Sequence, residues 1–173
     1  MSLFFSIIFL VAGLYLLFTK KTIAPWFPTR KKDFPRINRI ADLKPSEVLY
    51  ELGCGDGRVC NYLAKKNPEV KVVGIESFAL VYLIARLRKF FSGTKNLELK
   101  LGDVYKEDLS PADALYTFAI IESINGQLKE KILKEMKQDA RLISYTFSIK
   151  DWPGSVEVDD SSDFGLKVNV YKK

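Results

Sequence analysis

The 173-residue sequence contains no histidine. That single absence removes imidazole general bases, Ser-His and Cys-His catalytic pairs and the usual zinc sites, so no metal centre is expected. Cysteine is almost as scarce. Cys54 and Cys60 lie six positions apart in one predicted strand-turn-helix, which suits free thiols in a reducing compartment better than a structural disulfide. Neither reads as a nucleophile. No internal repeat or low-complexity tract is present. Acidic residues are outnumbered, 21 Asp and Glu against 27 Lys and Arg, for a formal charge of +6. Much of the basic excess falls between Lys20 and Arg39 and in the last residues, a distribution that suggests anionic lipid before nucleic acid. No nucleic-acid partner is expected.

What is present begins with an uncharged run. Residues 2–18 are dense in Leu, Ile and Phe and would span about 26 Å as a helix, slightly short of a bilayer core of roughly 30 Å. A cleaved signal peptide would need a basic start and a small-residue cleavage site, and Thr-Lys-Lys follows instead. An interfacial helix would need a charged face, which Ser2, Ser6 and Gly13 do not supply. Residues 1–19 are therefore expected to be a transmembrane anchor holding the lipid bilayer through residues 2–18. Lys20, Lys21, Arg30, Lys31 and Lys32 follow it, so the positive-inside rule puts the rest of a single-pass protein on the cytoplasmic side, or the matrix side in an organelle.

Residues 20–45 read as a basic and aromatic linker. Pro25-Trp26-Phe27-Pro28-Thr29 has a composition suited to the membrane-water interface. Residues 33–43 carry Phe34, Ile37, Ile40 and Ala41 at helical spacing, with Arg36 and Arg39 on the other side, and Pro45 ends that helix. Residues 46–173 are expected to be one catalytic domain with a core of its own.

In this domain an apolar run at 47–52 leads into Gly53-Cys54-Gly55-Asp56-Gly57-Arg58 and then a helical stretch, 59–66. Alternate glycines let the backbone turn tightly and approach a ligand closely, and the helix start offers free N–H groups. A dinucleotide fold would show G-x-G-x-x-G. This loop reads E-x-G-x-G-x-G, with Glu51 two residues before the first glycine. A carboxylate there is awkward beside a pyrophosphate but suits the ammonium of a methionine moiety, which favours S-adenosyl-L-methionine over NAD.

Two further acids follow in order. A second strand, 71–76, ends in Glu76, placed to grip a ribose diol, and a third, 96–101, is followed by Gly102-Asp103, where Asp103 can accept from an adenine amino group. The expected cofactor residues are thus Glu51, Gly53, Cys54, Gly55, Asp56, Gly57, Glu76 and Asp103. With a fourth strand at 114–120, these strands alternate with helices at 58–66, 78–91 and 126–138, and further strands are expected at 142–147, 155–159 and 166–171. They predict an α/β, doubly wound, Rossmann-like sheet of about seven strands, with its ligand at the topological switch point.

These residues resemble the class I methyltransferases, and more closely a membrane-anchored protein-lysine N-methyltransferase family whose animal members modify mitochondrial inner-membrane proteins and which has prokaryotic relatives. The resemblance rests on Pro-Trp-Phe-Pro-Thr at 25–29, Tyr-Glu-Leu-Gly-Cys-Gly-Asp-Gly-Arg at 50–58 and Gly-Ile-Glu at 74–76 with Arg86 and Arg88. It rests also on Gly-Asp at 102–103, Asp-Ala-Arg at 139–141 and Asp-Trp at 151–152. It implies transfer of a methyl group to lysine of a protein at or in the membrane. The chain departs from the family at Phe78-Ala79, where an Asn-Pro pair stands, at Glu122-Ser123, where Pro-Gln stands, and at Thr146, where an arginine stands.

Methyl transfer from a sulfonium asks mainly for alignment and a neutral nucleophile, so the missing histidine is no obstacle. A desolvated pocket would lower the pKa of an acceptor lysine, and Glu122 could take its proton or orient the amine. Tyr116, Phe118 and Trp152 could offer ring faces to a sulfonium or ammonium, with Phe118 the one expected to pack in the core. The catalytic candidates are Glu122, Tyr116 and Trp152. Three alternatives stay open on the residues alone: a tethered S-adenosylmethionine-binding protein without transferase activity, a methyltransferase for a lipid, quinone or nucleic-acid acceptor, and an NAD-linked oxidoreductase.

Overall fold

A computed structural model of the protein describes residues 27–173, together with Ser6 and Ile23. Apart from Ser6, the expected anchor at 2–18 lies outside the described residues, and among the described residues no helix is long and apolar enough to cross a membrane.

A 3₁₀ turn, Lys31–Asp33, opens into helix α1 (Phe34–Ala41). Then come β1 (Val48–Leu52), α2 (Arg58–Lys66), β2 (Lys71–Glu76), α3 (Ala79–Ser92), β3 (Leu97–Leu101), β4 (Ala114–Thr117), α4 (Ile121–Ile124), α5 (Gln127–Glu135), β5 (Arg141–Tyr145), β6 (Val156–Asp159) and β7 (Val168–Lys172). The seven strands form one sheet in the order β3-β2-β1-β4-β5-β7-β6. The first five are mutually parallel, and β7 runs antiparallel between β5 and β6. The chain order reverses between β1 and β4, so the carboxyl ends of these strands frame the crevice in which open α/β sheets bind ligands.

Both sheet faces are buried, as expected of parallel strands covered by helices. Tyr50, Leu52, Val73, Ile75, Leu115 and Leu142 meet Ile124, Leu128, Ile132 and Met136 on the face covered by α4 and α5. Leu49, Val72, Tyr116 and Ile143 meet Ile37 of α1 and Val59, Cys60 and Leu63 of α2 on the other. α3 packs beside α2, against β2 and β3.

Several expected boundaries move. The fourth strand stops at Thr117 instead of 120, because the Ile120 amide leaves the ladder and donates to the Ile23 carbonyl at 3.3 Å. The helix expected at 126–138 becomes α4 and α5, separated by Gly126. A Cβ at Gly126 would stand 2.8 Å from the Glu122 carbonyl, so only glycine allows the chain to pass there. The helix expected at 33–43 ends at Ala41, with Asp42 in the left-handed region at φ 44°. Arg36, expected on the solvent side of that helix, is instead buried. It pairs with Asp33 at 3.2 Å and Asp159 at 2.8 Å and donates to the Leu166 carbonyl at 2.6 Å. Enough partners converge on the guanidinium to replace its water.

Candidate functional site

Register places the carboxyl ends of β1, β2 and β3 side by side, pairing Leu52 with Ile75 and Glu76 with Leu101. Glu51, Glu76 and Asp103 therefore meet along one edge. Between β1 and α2 the chain turns through Gly53, Gly55 and Gly57, all at positive φ (75°, 55° and 73°). At Gly57 an added Cβ would also come within 3.0 Å of the Ala85 Cβ, so glycine is what lets α3 close against this loop. The loop is fastened to β2: the Cys54 amide donates to the Ile75 carbonyl at 2.8 Å and the Gly55 amide to Glu76 Oε2 at 2.9 Å.

Each acid has a different situation. Glu76 is buried, and its Oε1 also accepts the Phe78 amide at 2.8 Å. Its carboxylate thus ties two loops together while each oxygen keeps a lone pair for a further donor. Asp103 accepts the Tyr105 amide through Oδ1 at 3.0 Å, and its Oδ2 takes no hydrogen bond among the described residues. Glu51 is buried, 4% exposed, and its Oε2 has no hydrogen-bond partner among the described residues. Burial pushes its carboxyl well above the usual carboxylate range. A buried carboxylate oxygen beside a glycine loop, with no donor of its own, fits a ligand that brings a cationic N–H group.

Asp56 and Cys54 face elsewhere. Arg58 and Arg88 hold the Asp56 carboxylate through Nη2 contacts of 2.6 Å and 2.7 Å. Burial opposes its ionisation, but the Arg58 hydrogen bonds and the Arg88 charge outweigh that and keep it below its ordinary pKa. Both carboxylate oxygens are taken, so Asp56 shapes the loop through its backbone. The Cys54 thiol is buried against Gly74, whose added Cβ would sit 3.0 Å from the sulfur. Both cysteines are free. Contact with Cys54 and burial together push the Cys60 thiol well up, in keeping with an inert pair.

The catalytic candidates do not come together. Trp152 donates from Nε1 to the Lys172 carbonyl at 2.9 Å, and its ring tilts against Tyr171 at 5.1 Å. Lys172 pairs with Arg141, the first residue of β5, so this tryptophan lies at the amino edge of the parallel strands, opposite the glycine loop. The Asp-Trp turn is a clasp between the β5–β6 connection and β7, so Trp152 does not offer its ring face to the glycine-loop edge as expected. Tyr116 is 1% exposed and shares a 3.1 Å hydrogen bond with Thr29 Oγ1. Its ring is packed in the core, the reverse of the expectation that Phe118 would be the one buried there. Phe118 is half-buried just past the end of β4, edge-on to Tyr145 at 5.0 Å and 6.2 Å from Phe147. Glu122 is exposed on α4, with no side-chain partner among the described residues.

Three contributors carry little sequence signal. Ile23 packs over Gly53 while its carbonyl accepts the Ile120 amide, so it touches both the glycine loop and the loop after β4. Arg88 appears in the sequence only as a family marker. Thr146, marked in the sequence as a departure, has φ 75° and a buried hydroxyl without a hydrogen-bond partner among the described residues.

A family model described as the ANTKMT methyltransferase domain matches residues 51–155. A protein-lysine N-methyltransferase of Saccharolobus islandicus is 31% identical over 150 residues, covering 85% of this chain and 91% of that protein. A ribosomal RNA small subunit methyltransferase A of Thermotoga neapolitana is 32% identical over 115 residues; that match covers 66% of this chain but spans only 43% of the relative's length. Among solved structures, an RNA methyltransferase of Salinibacter ruber in complex with S-adenosyl-L-homocysteine superposes with a TM-score of 0.75 at 25% identity, covering 84% of this chain and 92% of that one. With the acidic glycine loop, the two following acids and the 3-2-1-4-5-7-6 sheet all in place, the chain belongs to the ANTKMT methyltransferase domain family and is a class I methyltransferase dependent on S-adenosyl-L-methionine.

Proposed function

We propose that the chain methylates a lysine side chain of a protein at or in a membrane, with residues 1–19 as anchor, 20–45 as linker and 46–173 as the catalytic domain on the cytoplasmic or matrix-equivalent side. The observation that carries the cofactor half is the buried Glu51 Oε2 without a donor of its own. An S-adenosylmethionine amino group answers it with charge and N–H together. Glu76 takes the ribose hydroxyls on its remaining lone pairs, Asp103 Oδ2 takes the adenine amine, and the Gly53 to Gly57 backbone lies against the methionine portion. Cys54 and Asp56 hold that backbone in shape. The cofactor supplies a methyl group on a sulfonium.

For the acceptor, the lysine reading is supported by the Saccharolobus relative, matched over nearly its whole length. Phe118 and Phe147, at the ends of β4 and β5, form an apolar wall that favours the neutral amine by desolvation. Glu122, exposed on α4, receives the proton that the ammonium loses. The membrane half rests on the uncharged run at 2–18 and the basic flank after it. A second reading, an RNA acceptor, is favoured by the likeness to the Salinibacter RNA methyltransferase.

Calorimetry of S-adenosylmethionine binding to the full chain, alongside Gly55→Arg and Glu76→Ala, tests the cofactor site; binding is expected for the wild type and lost in both variants. Labelled-methyl transfer into membrane protein and RNA fractions then separates the acceptors. Label in protein that hydrolysis recovers as methyl-lysine supports the proposal, and label in RNA alone overturns it.

A further inference from the structure

Helix α3 is turned the wrong way round for a helix on a globular core. Its buried residues are Val81 and Ala85, both small. On the opposite side Leu80, Leu83, Ile84, Leu87, Phe90 and Phe91 are 46% to 82% exposed. At 100° per residue these six fall in one arc about 120° wide, a continuous apolar stripe along the helix. A stripe of six large side chains is more apolar surface in one place than a monomer ordinarily leaves to water. Phe90 and Phe91 close it with an edge-on pair at 5.4 Å.

The charges on α3 point to the occupant. The helix has no acidic residue, and its charged residues are Arg86, Arg88 and Lys89. Arg88 is engaged with Asp56, which leaves Arg86 exposed beside the stripe, while Lys89 is half-buried on the far side of the helix. Arg86 and Lys89 also line an open cleft of about 500 Å³ between α3 and β3; the one acid on its wall, Glu98, is paired with Lys71 at 2.9 Å. An apolar, partly aromatic face edged by the free Arg86 cation, on a helix without acids, is complementary to an anionic bilayer surface. The position agrees. Ile23 packs on Gly53 at the carboxyl end of β1, and α3 begins three residues beyond the carboxyl end of the adjacent β2. The chain therefore enters the domain at the same edge from which this helix starts.

We propose that α3 is an interfacial membrane-docking helix, lying along an anionic phospholipid surface with its Leu80 to Phe91 stripe in the headgroup-acyl boundary and Arg86 on lipid phosphates. This goes beyond anchoring by residues 2–18: a tether fixes only distance, whereas a second, lateral contact fixes orientation. The carboxyl edge, with the glycine loop and the end of β4, is then held beside the bilayer.

Cys54 and Cys60 are buried, so a cysteine introduced at Leu87 can be labelled selectively with an environment-sensitive fluorophore. The full-length Leu87→Cys chain would be reconstituted into phosphatidylcholine vesicles with and without phosphatidylglycerol, some carrying a shallow nitroxide lipid as quencher. Asp160→Cys, beyond β6 at the other edge of the sheet, is the control. The expected result is severalfold stronger nitroxide quenching at position 87 than at 160, increased by phosphatidylglycerol and lost with Leu83→Glu while S-adenosylmethionine binding is kept. Vesicle-bound protein whose Leu87 probe escapes the nitroxide overturns the inference and leaves the anchor standing. If that probe is also shielded from aqueous acrylamide, a second copy or the chain's own residues 2–18 cover the stripe instead. Failure of the chain to associate with vesicles overturns both.

Discussion

Arg88 donates from Nη2 to the Asp56 carboxylate at 2.7 Å and from Nε to the Asp56 carbonyl at 2.8 Å, so α3 grips the glycine loop by one residue, side chain and backbone together. Arg58 shares the same carboxylate through its own side chain. The pair of arginines therefore sets the glycine loop on which the cofactor is proposed to lie, although both oxygens of Asp56 face protein.

Replacement of Arg88 by alanine is expected to weaken S-adenosylmethionine binding about tenfold and to lower stability by about 1–2 kcal/mol, the scale of a lost charge-assisted hydrogen bond discounted for partial exposure. Arg88→Lys restores the charge but not the fork that holds two acceptors, and recovers only part. Calorimetry at fixed ionic strength checks this. Unchanged affinity in a folded Arg88→Ala chain would show that Gly57 and its neighbours keep their conformation unaided.

Glu51 gives a pH signature. Its folded pKa is raised by burial, so between the unfolded value and the folded one the native state binds the extra proton. Stability of the cofactor-free chain is therefore expected to fall as pH rises through that window, starting from the ordinary carboxylate range. Glu51→Gln should flatten the profile and be the more stable form at neutral pH. With S-adenosylmethionine the sign reverses, because its ammonium favours the ionised carboxylate: affinity should rise with pH for the wild type and be low and pH-insensitive for Glu51→Gln. Thermal melts and binding isotherms from pH 5 to 8 read both. A wild-type melt that rises across this range, with Glu51→Gln less stable throughout, would mean that Glu51 is already ionised and paired without the cofactor.

The parts of the site visible in the sequence are those fixed by local order. Glu51, Glu76 and Asp103 each stand at or beside the end of a short apolar run, and parallel register then brings them to one edge whatever the rest of the chain does. Pairing across distance left no such mark. Arg88 and Asp56 are 32 positions apart, and Tyr116 meets Thr29 across 87. Tyr116 and Phe118 exchanged roles because strict alternation puts both on one face, whereas the strand ends at Thr117 and Phe118 leaves the sheet. Helical periodicity over 78–91 is correct for α3. It locates an apolar stripe without saying whether the stripe turns inward, and here Val81 and Ala85, not the leucines, face the core.

Thr146 carries the last prediction. A β-branched residue at φ 75° costs roughly 1–3 kcal/mol, and its buried hydroxyl, without a hydrogen-bond partner among the described residues, adds to that. Glycine relieves both at an entropic cost of about 0.5–1 kcal/mol, so Thr146→Gly should stabilise the chain by about 1 kcal/mol and raise Tm by about 2–4 °C. Thr146→Ala removes the hydroxyl and keeps the strain, and should fall between the two. Strain retained next to Phe147, where the acceptor is proposed to enter, has a use if the hydroxyl meets the incoming amine. Turnover of Thr146→Gly is accordingly expected to drop several-fold at unchanged S-adenosylmethionine affinity. Gain in Tm without loss of turnover would make the strain incidental to methyl transfer, and a lower Tm would show that the hydroxyl is already satisfied in the folded chain.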